Sequence, residues 1–153
     1  MNIKELDQRA DLEQDKTLTR QYANFEKLIF EIKKKEIPAD VVNQVNQNID
    51  EINSFSGSNK ELRAQMRKSQ SRILNLLEKK LKLVPKNYYR NRWMAIGMTV
   101  FGIPLGAAFG AGSGNTSSIA IGIPVGMVIG LAIGSGMDKK AFEEGKQLDL
   151  ETK

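Results

Sequence analysis

The sequence predicts an all-α protein, with an N-terminal amphipathic bundle of about three helices and a C-terminal two-helix transmembrane hairpin. In the first half of the chain, apolar residues lie three and four positions apart, which is the spacing of one face of an α-helix. From Trp93 to Met137 the chain contains no Asp, Glu, Lys or Arg. Within that stretch glycines recur at every fourth position in two runs, a pattern typical of closely packed membrane helices.

These observations divide the chain into five regions. Residues 1–16 form a polar segment that can extend the first helix backwards, and residues 17–84 form a cytoplasmic helical bundle. Residues 85–92 form a basic linker beside the membrane. The glycine-rich hairpin covers residues 93–137, and a cytoplasmic tail covers residues 138–153, whose last part is expected to be frayed.

Each helix of the bundle is expected to carry one apolar stripe. The spacing predicts helices over about residues 17–35, 38–55 and 59–84. Their stripes are Leu18, Tyr22, Phe25, Ile29 and Ile32 in the first helix, Val42, Val45, Ile49 and Ile52 in the second, and Leu62, Met66, Ile73, Leu77, Leu81 and Val84 in the third. Ser58 and Glu61 form a capping-box pattern at the start of the third helix, and Pro85 is expected to end or kink that helix.

Two questions about the bundle stay open at the level of sequence. The stripes serve either the bundle's own core alone or, in part, pairing with another chain. The second helix also has a face rich in Asn and Gln, which is either solvated surface or a polar docking face.

The charge-free stretch is long enough for two membrane spans. Residues 94–111 and 118–137 are apolar or small, and helices of these lengths span about 27 and 30 Å, close to the thickness of a hydrocarbon core. The segment between them, residues 112–117, is short, polar and uncharged, so it is expected to be the hairpin turn.

Both spans contain a glycine zipper, meaning glycines at every fourth position along one helix face. Such a face lets another helix backbone approach closely. The predicted helix-packing residues are Gly102, Gly106 and Gly110 in the first span and Gly122, Gly126, Gly130 and Gly134 in the second.

The two spans also share a repeated motif. GIPLG at residues 102–106 recurs as GIPVG at residues 122–126, so Pro104 and Pro124 are expected to kink the helices near mid-membrane. These kinks either shape the helices for packing or form a hinge with free carbonyl groups.

Aromatic and basic residues at the ends of the spans predict an orientation. Lys and Arg precede the first span and follow the second, and the turn between the spans has none, so both termini are expected to be cytoplasmic. The predicted interface anchors are Tyr88, Tyr89, Arg90, Arg92, Trp93, Lys139 and Lys140.

Several classes of function are disfavoured by composition. The chain has no Cys and no His, so no catalytic, cofactor-binding or metal-ligating residues are expected, and an enzyme is not expected. The net charge is +5, and the densest run of Lys and Arg lies directly before the first span. That placement is typical of residues that orient a membrane protein, so nucleic-acid binding is not expected. The N-terminus has no apolar segment of the signal-peptide kind.

Part of the sequence resembles a known group of proteins. The stretch from about Leu81 to Leu150 contains LVPKNYYRNRWMAIGM, the GIPLG and GIPVG pair, and IGSGMDKKAFEEGKQL. It is similar to small, uncharacterised bacterial membrane proteins with two glycine-zipper spans and a helical N-terminal part. The resemblance implies a bacterial inner membrane, and it implies no activity.

The expected function is structural. The hairpin is expected to hold the chain in the lipid bilayer, and the bundle is expected to bind a protein partner or a second copy as an anchor, scaffold or assembly component. The alternative is a pore-forming or membrane-permeabilising oligomer of the holin or toxin kind, although no polar stripe lines either span.

Overall fold

The computed structural model describes residues 2–9, 15–114 and 119–151, and it confirms the all-α fold class. The chain forms two compact units that divide between Leu83 and Val84. The first unit contains α1 (Lys16–Lys33), α2 (Ala39–Asn53) and α3 (Asn59–Leu81). The second contains β1 (Val84–Lys86), α4 (Tyr88–Gly97), a π-helical turn (Met98–Gly102), α5 (Ile103–Ser113), α6 (Ile119–Glu143) and β2 (Gln147–Glu151).

In the first unit, α3 packs against both α1 and α2. The predicted apolar stripes of α1 and α2 are buried, and Leu28 and Val41 join them in the core. From α3, the buried members are Leu62, Met66, Ile73 and Leu77. Burial of these side chains is the main favourable contribution to folding of the unit, because each large aliphatic side chain removed from water contributes roughly 1.5–3 kcal/mol.

Side-chain caps fix the starts of α1 and α3. The Asp15 carboxylate accepts hydrogen bonds from the amides of Thr17 and Leu18, at 3.0 and 3.1 Å, and Arg63 of α3 lies 2.9 Å from the same carboxylate. At α3 the predicted capping box is present: the Ser58 amide donates to the Glu61 carboxylate at 2.9 Å. Hydrogen bonds from the Ser58 hydroxyl and amide lower the pKa of Glu61.

The third helix ends earlier than the sequence predicts. It stops at Leu81, because Lys82 adopts the left-handed conformation (φ 58°) and its amide closes the last turn on the Glu78 carbonyl. Pro85 therefore lies beyond the helix, in β1. Residues that precede a proline avoid the α conformation, which suits Val84 to an extended strand.

Parts of the predicted linker and of the predicted tail form a small parallel sheet, whereas residues 88–92 of the linker belong to α4 and residues 138–143 of the tail belong to α6. β1 pairs with β2, with Val84 opposite Gln147 and Pro85 opposite Leu148. Gly145 (φ 66°) ends α6, and the Lys146 amide donates to the Ala141 carbonyl at 2.8 Å. Leu148 and Leu150 are buried, so this part of the tail is ordered and not frayed.

The N-terminal extension of the first helix is not found where the chain is described. Residues 2–9 have no helical structure, and α1 begins only after Asp15. Residues 10–14 lie outside the described residues. The structure describes the expected hairpin turn as far as Gly114, which has a left-handed conformation (φ 65°). Residues 115–117 of that turn also lie outside the described residues.

We predict that Ser58→Ala lowers the free energy of unfolding by about 1 kcal/mol, because the first turn of α3 loses a side-chain cap. Thermal unfolding of the full chain in detergent, followed by circular dichroism, measures the change. Ser56→Ala is the control, since Ser56 is exposed and precedes the cap. Equal stability of the two variants would contradict a role for the capping box.

Candidate helix-packing and docking sites

The buried face of α6 repeats every four residues. Its buried positions include Gly122, Gly126, Gly130, Gly134 and Asp138, and α6 packs against α4, the π-helical turn and α5. Gly122 lies opposite Gly106, and Gly134 lies opposite Arg90, so the two halves of the hairpin are antiparallel. The glycines of both predicted stripes therefore meet within one chain.

The backbones at this face are too close for a side chain to fit between them. A methyl group on Gly122 would lie 2.6 Å from the Gly106 Cα, and one on Gly126 would lie 2.7 Å from the Gly102 Cα. A methyl group on Gly134 would lie 2.5 Å from the Arg90 Cα. Real Cβ atoms do not approach other atoms this closely, so the packing requires glycine at these positions.

The first half of the hairpin contributes to the contact a different set of glycines from the one the sequence predicts. Gly97 is buried against Gly130, where a methyl group would lie 2.9 Å from the Gly130 Cα. Of the glycines predicted in this half, Gly102 and Gly106 lie in the interface, whereas Gly110 is half-buried near the end of α5. Gly97 precedes Gly102 by five residues, so a search for steps of four misses it.

The π-helical turn accounts for the step of five. A π-helical turn holds one residue more than an α-helical turn, and the Ile103 amide here bonds to the carbonyl of Met98, five residues earlier. Because the turn absorbs the additional residue, Gly97 and Gly102 stay on the same face of the helix.

The two repeated prolines have different local structures. Pro104 lies at the start of α5, directly after the π-helical turn, where its missing amide and its ring disfavour a regular α-turn. Pro124 lies inside α6. The carbonyl that it leaves without an α-helical donor belongs to Ala120, in the first turn of the described helix. The repeat in sequence is therefore not a repeat in helix geometry.

Asp138 continues the glycine register by one further step of four, and the sequence analysis missed its role. Its carboxylate is buried and accepts hydrogen bonds from the amides of Tyr89 and Arg90, at 3.0 and 2.9 Å. Both amides lie in the first turn of α4, whose own N-cap residue, Asn87, makes no side-chain cap. Asp138 therefore caps α4 from the opposite helix.

The predicted interface anchors lie at the end of the hairpin where α4 begins and α6 finishes. Arg92 donates to the Tyr88 hydroxyl at 2.9 Å, and the rings of Tyr88 and Tyr89 meet edge to face with centroids 5.2 Å apart. The remaining anchors are Arg90, which is exposed, Trp93, which is half-buried, and Lys139 and Lys140, which are exposed and pair with Glu143 and Glu144 at 3.9 and 3.8 Å.

Large apolar side chains of the hairpin point outward. Among the described residues, exposed large hydrophobic side chains are concentrated in the hairpin, and Phe30 is the exception in the first unit. In the hairpin they are Val100, Phe101, Ile103, Phe109, Ile121, Ile123, Val125, Val128, Ile133, Met137 and Phe142. The segments Tyr88–Gly112 and Ala120–Glu143 are each long and apolar enough to cross a membrane.

A second candidate site lies on the Asn-rich face of α2. Residues 2–9, here called the arm, run along this face and form neither helix nor strand. The Asn46 side chain accepts from the Lys4 amide at 2.8 Å and donates to the Asn2 carbonyl at 3.2 Å. Asn53 accepts from the Asp7 amide and donates to the Glu5 carbonyl, both at 3.1 Å. Within the predicted Asn- and Gln-rich face, Asn46 contacts the arm, whereas Asn43, Gln44 and Gln47 are exposed, so the face is in part solvated surface.

Both α1 and α2 hold the arm. Lys4 pairs with Asp50 of α2 at 2.7 Å, and Glu5 pairs with Lys33 of α1 at 2.6 Å. The Tyr22 hydroxyl of α1 donates to the Asp7 carbonyl. Burial, together with the carboxylates of Glu26 and Asp7, raises the pKa of Tyr22 to about 12.

No family model, curated protein or solved structure matches this chain. Function is therefore inferred from the geometry of the two sites.

We predict that Gly126→Ala lowers the stability of the hairpin by roughly 1–3 kcal/mol, because the added methyl group overlaps the backbone of the facing helix. Unfolding of the purified chain by SDS titration in mixed micelles measures this. Gly136→Ala is the matched control, since a methyl group there meets nothing within 4 Å. If both variants unfold alike, close packing at Gly126 is refuted.

We predict that Asp138→Ala lowers stability by about 1–3 kcal/mol and speeds hydrogen exchange at the Tyr89 and Arg90 amides, because both lose their acceptor. Residue-resolved hydrogen exchange in detergent is the measurement. Glu143→Ala serves as control, since Glu143 is exposed and its ion pair spans 3.9 Å. Unchanged exchange at both amides in Asp138→Ala would exclude the cap.

Proposed function

We propose that this chain is a non-enzymatic integral protein of a bacterial inner membrane. In this proposal the hairpin anchors the chain in the bilayer, and the helical bundle is a cytoplasmic scaffold that binds a protein partner. Both termini are on the cytoplasmic side, and the glycine faces hold the two spans together.

The observation that carries the proposal is the reversed arrangement of side chains in the hairpin. Glycines occupy the contact between its helices, and the large apolar side chains face outward. In water this arrangement would leave most of the apolar surface hydrated, which is unfavourable by about 25 cal/mol per Å². In lipid the same outward face is solvated, and close backbone packing replaces apolar burial as the source of helix association.

The proposed orientation is supported by what lies at one end of the hairpin. Arg90, Arg92, Lys139 and Lys140 lie there together, and the cap from Asp138 to α4 keeps the start of one span beside the end of the other. Basic residues beside both spans favour that end on the cytoplasmic side.

The pore-forming alternative has less support. Thr99 is the polar side chain well inside the first span, and its hydroxyl donates to the carbonyls of Ala95 and Ile96, at 3.2 and 3.1 Å, in its own helix. The glycine faces contact each other within one chain.

Cysteine labelling tests the proposal, because the chain has no cysteine of its own. A membrane-impermeant maleimide applied to intact spheroplasts is expected to label Gly112→Cys, and to label Lys60→Cys only after permeabilisation. Both positions are exposed. The chain is also expected to stay in the membrane fraction after an alkaline carbonate wash. Release by carbonate, or labelling of Lys60→Cys from outside, would refute the proposal.

A further inference from the structure

The arm fills a groove between α1 and α2. Both helices pack on α3, and the arm bonds to each of them while burying the side chains of Ile3 and Leu6. Without the arm, this part of the core would face water.

The groove binds the main chain of the arm through the same pair of side-chain hydrogen bonds at two positions. Each of Asn46 and Asn53 accepts from one amide and donates to the carbonyl two residues earlier, so each side chain contacts the arm as a neighbouring β-strand would. The contact repeats after three residues of arm and seven residues of helix. Seven helical residues span about 10.5 Å, and three residues of the arm cover that distance only in a near-extended conformation, which spans roughly 9–10 Å. The spacing of the contacts therefore indicates an extended arm.

Side chains of the arm supply the selectivity. Ile3 and Leu6 are buried and lie three residues apart, in step with the asparagines. Between them, Lys4 faces Asp50 and Glu5 faces Lys33, so a reversed order of charge would place like charges together. The groove therefore fits an extended segment of the form apolar, basic, acidic, apolar, which residues 3–6 of this chain provide.

We propose that the groove also binds the arm of a second copy of this chain, so that two copies associate by exchanging residues 2–9. Every described contact of the arm is to residues 22 and beyond, and an identical arm from another copy makes the same contacts. Exchange of an identical element needs no new surface. The inference deepens the proposed scaffold function by naming a second copy as the partner. Anchoring in one membrane would raise the effective concentration of that copy.

Cross-linking of full-length chains tests the exchange. One tagged copy carries Lys4→Cys and a second, differently tagged copy carries Asp50→Cys, and the two are co-expressed and treated in their membrane with a short bis-maleimide. A heterodimer is expected, because the two side chains meet in the docked arm. Gln44→Cys replaces Asp50→Cys in the control, since it lies about 120° away around α2 and is exposed. The heterodimer yield should fall several-fold in the control.

Two further measurements distinguish exchange from docking within one chain. Adding Ile3→Asp to the copy that carries Lys4→Cys should abolish the heterodimer, because the arm loses a buried anchor. A single chain carrying both cysteines reports docking within the chain. If it cross-links internally while the mixed copies give no heterodimer, or give no more than the Gln44→Cys control, exchange is refuted. Retention after a carbonate wash is measured on the same samples, so loss of membrane anchoring would be detected separately.

Discussion

The contact of two helix backbones at the glycine face constrains the rest of the hairpin. Where backbones touch, no side chain fits between them, so the large apolar side chains of the two helices lie beside the contact or point away from it. At the same contact α6 presents glycine at every fourth position from Gly122 to Gly134. The facing helix presents Gly97, Gly102 and Gly106, and opposite Gly134 it presents the backbone of Arg90. The π-helical turn is a consequence: it keeps Gly97 and Gly102 on one face although five residues separate them.

A contact of this kind also determines where polar groups are tolerated. In the two apolar helices, hydrogen bonds within each helix pair the backbone groups, except that Pro124 offers no donor to the Ala120 carbonyl, and the Thr99 hydroxyl bonds to its own helix. At the start of α4, the glycine register of α6 places a carboxylate beside the amides of Tyr89 and Arg90. Asp138 is therefore tolerated as a buried acid because it accepts hydrogen bonds from both amides.

The sequence was sufficient for features that depend on regular local spacing. The apolar stripes of α1 and α2 and the step of four in Gly122–Gly134 needed no knowledge of partners. Features that depend on partners distant in sequence could not be predicted: Gly97 becomes an interface residue only through the π-helical turn, and β2 exists because Val84 and Lys146 pair across 62 residues. The arm belongs to the same class, since its extended form depends on Asn46 and Asn53.

The two sites bind a backbone segment by opposite means, and this explains why the sequence predicts one of them more readily than the other. In the hairpin, side chains are absent so that one backbone contacts another, and the absence appears as a glycine repeat. On α2, two side-chain amides take the place of a strand and bond to the backbone of the arm. In the sequence, a pair of asparagines seven residues apart cannot be distinguished from asparagines on a solvated helix surface. The distinction appears only when the segment that they bind is known, because Asn46 and Asn53 differ from the exposed Asn43 and Gln44 by their contacts with the arm.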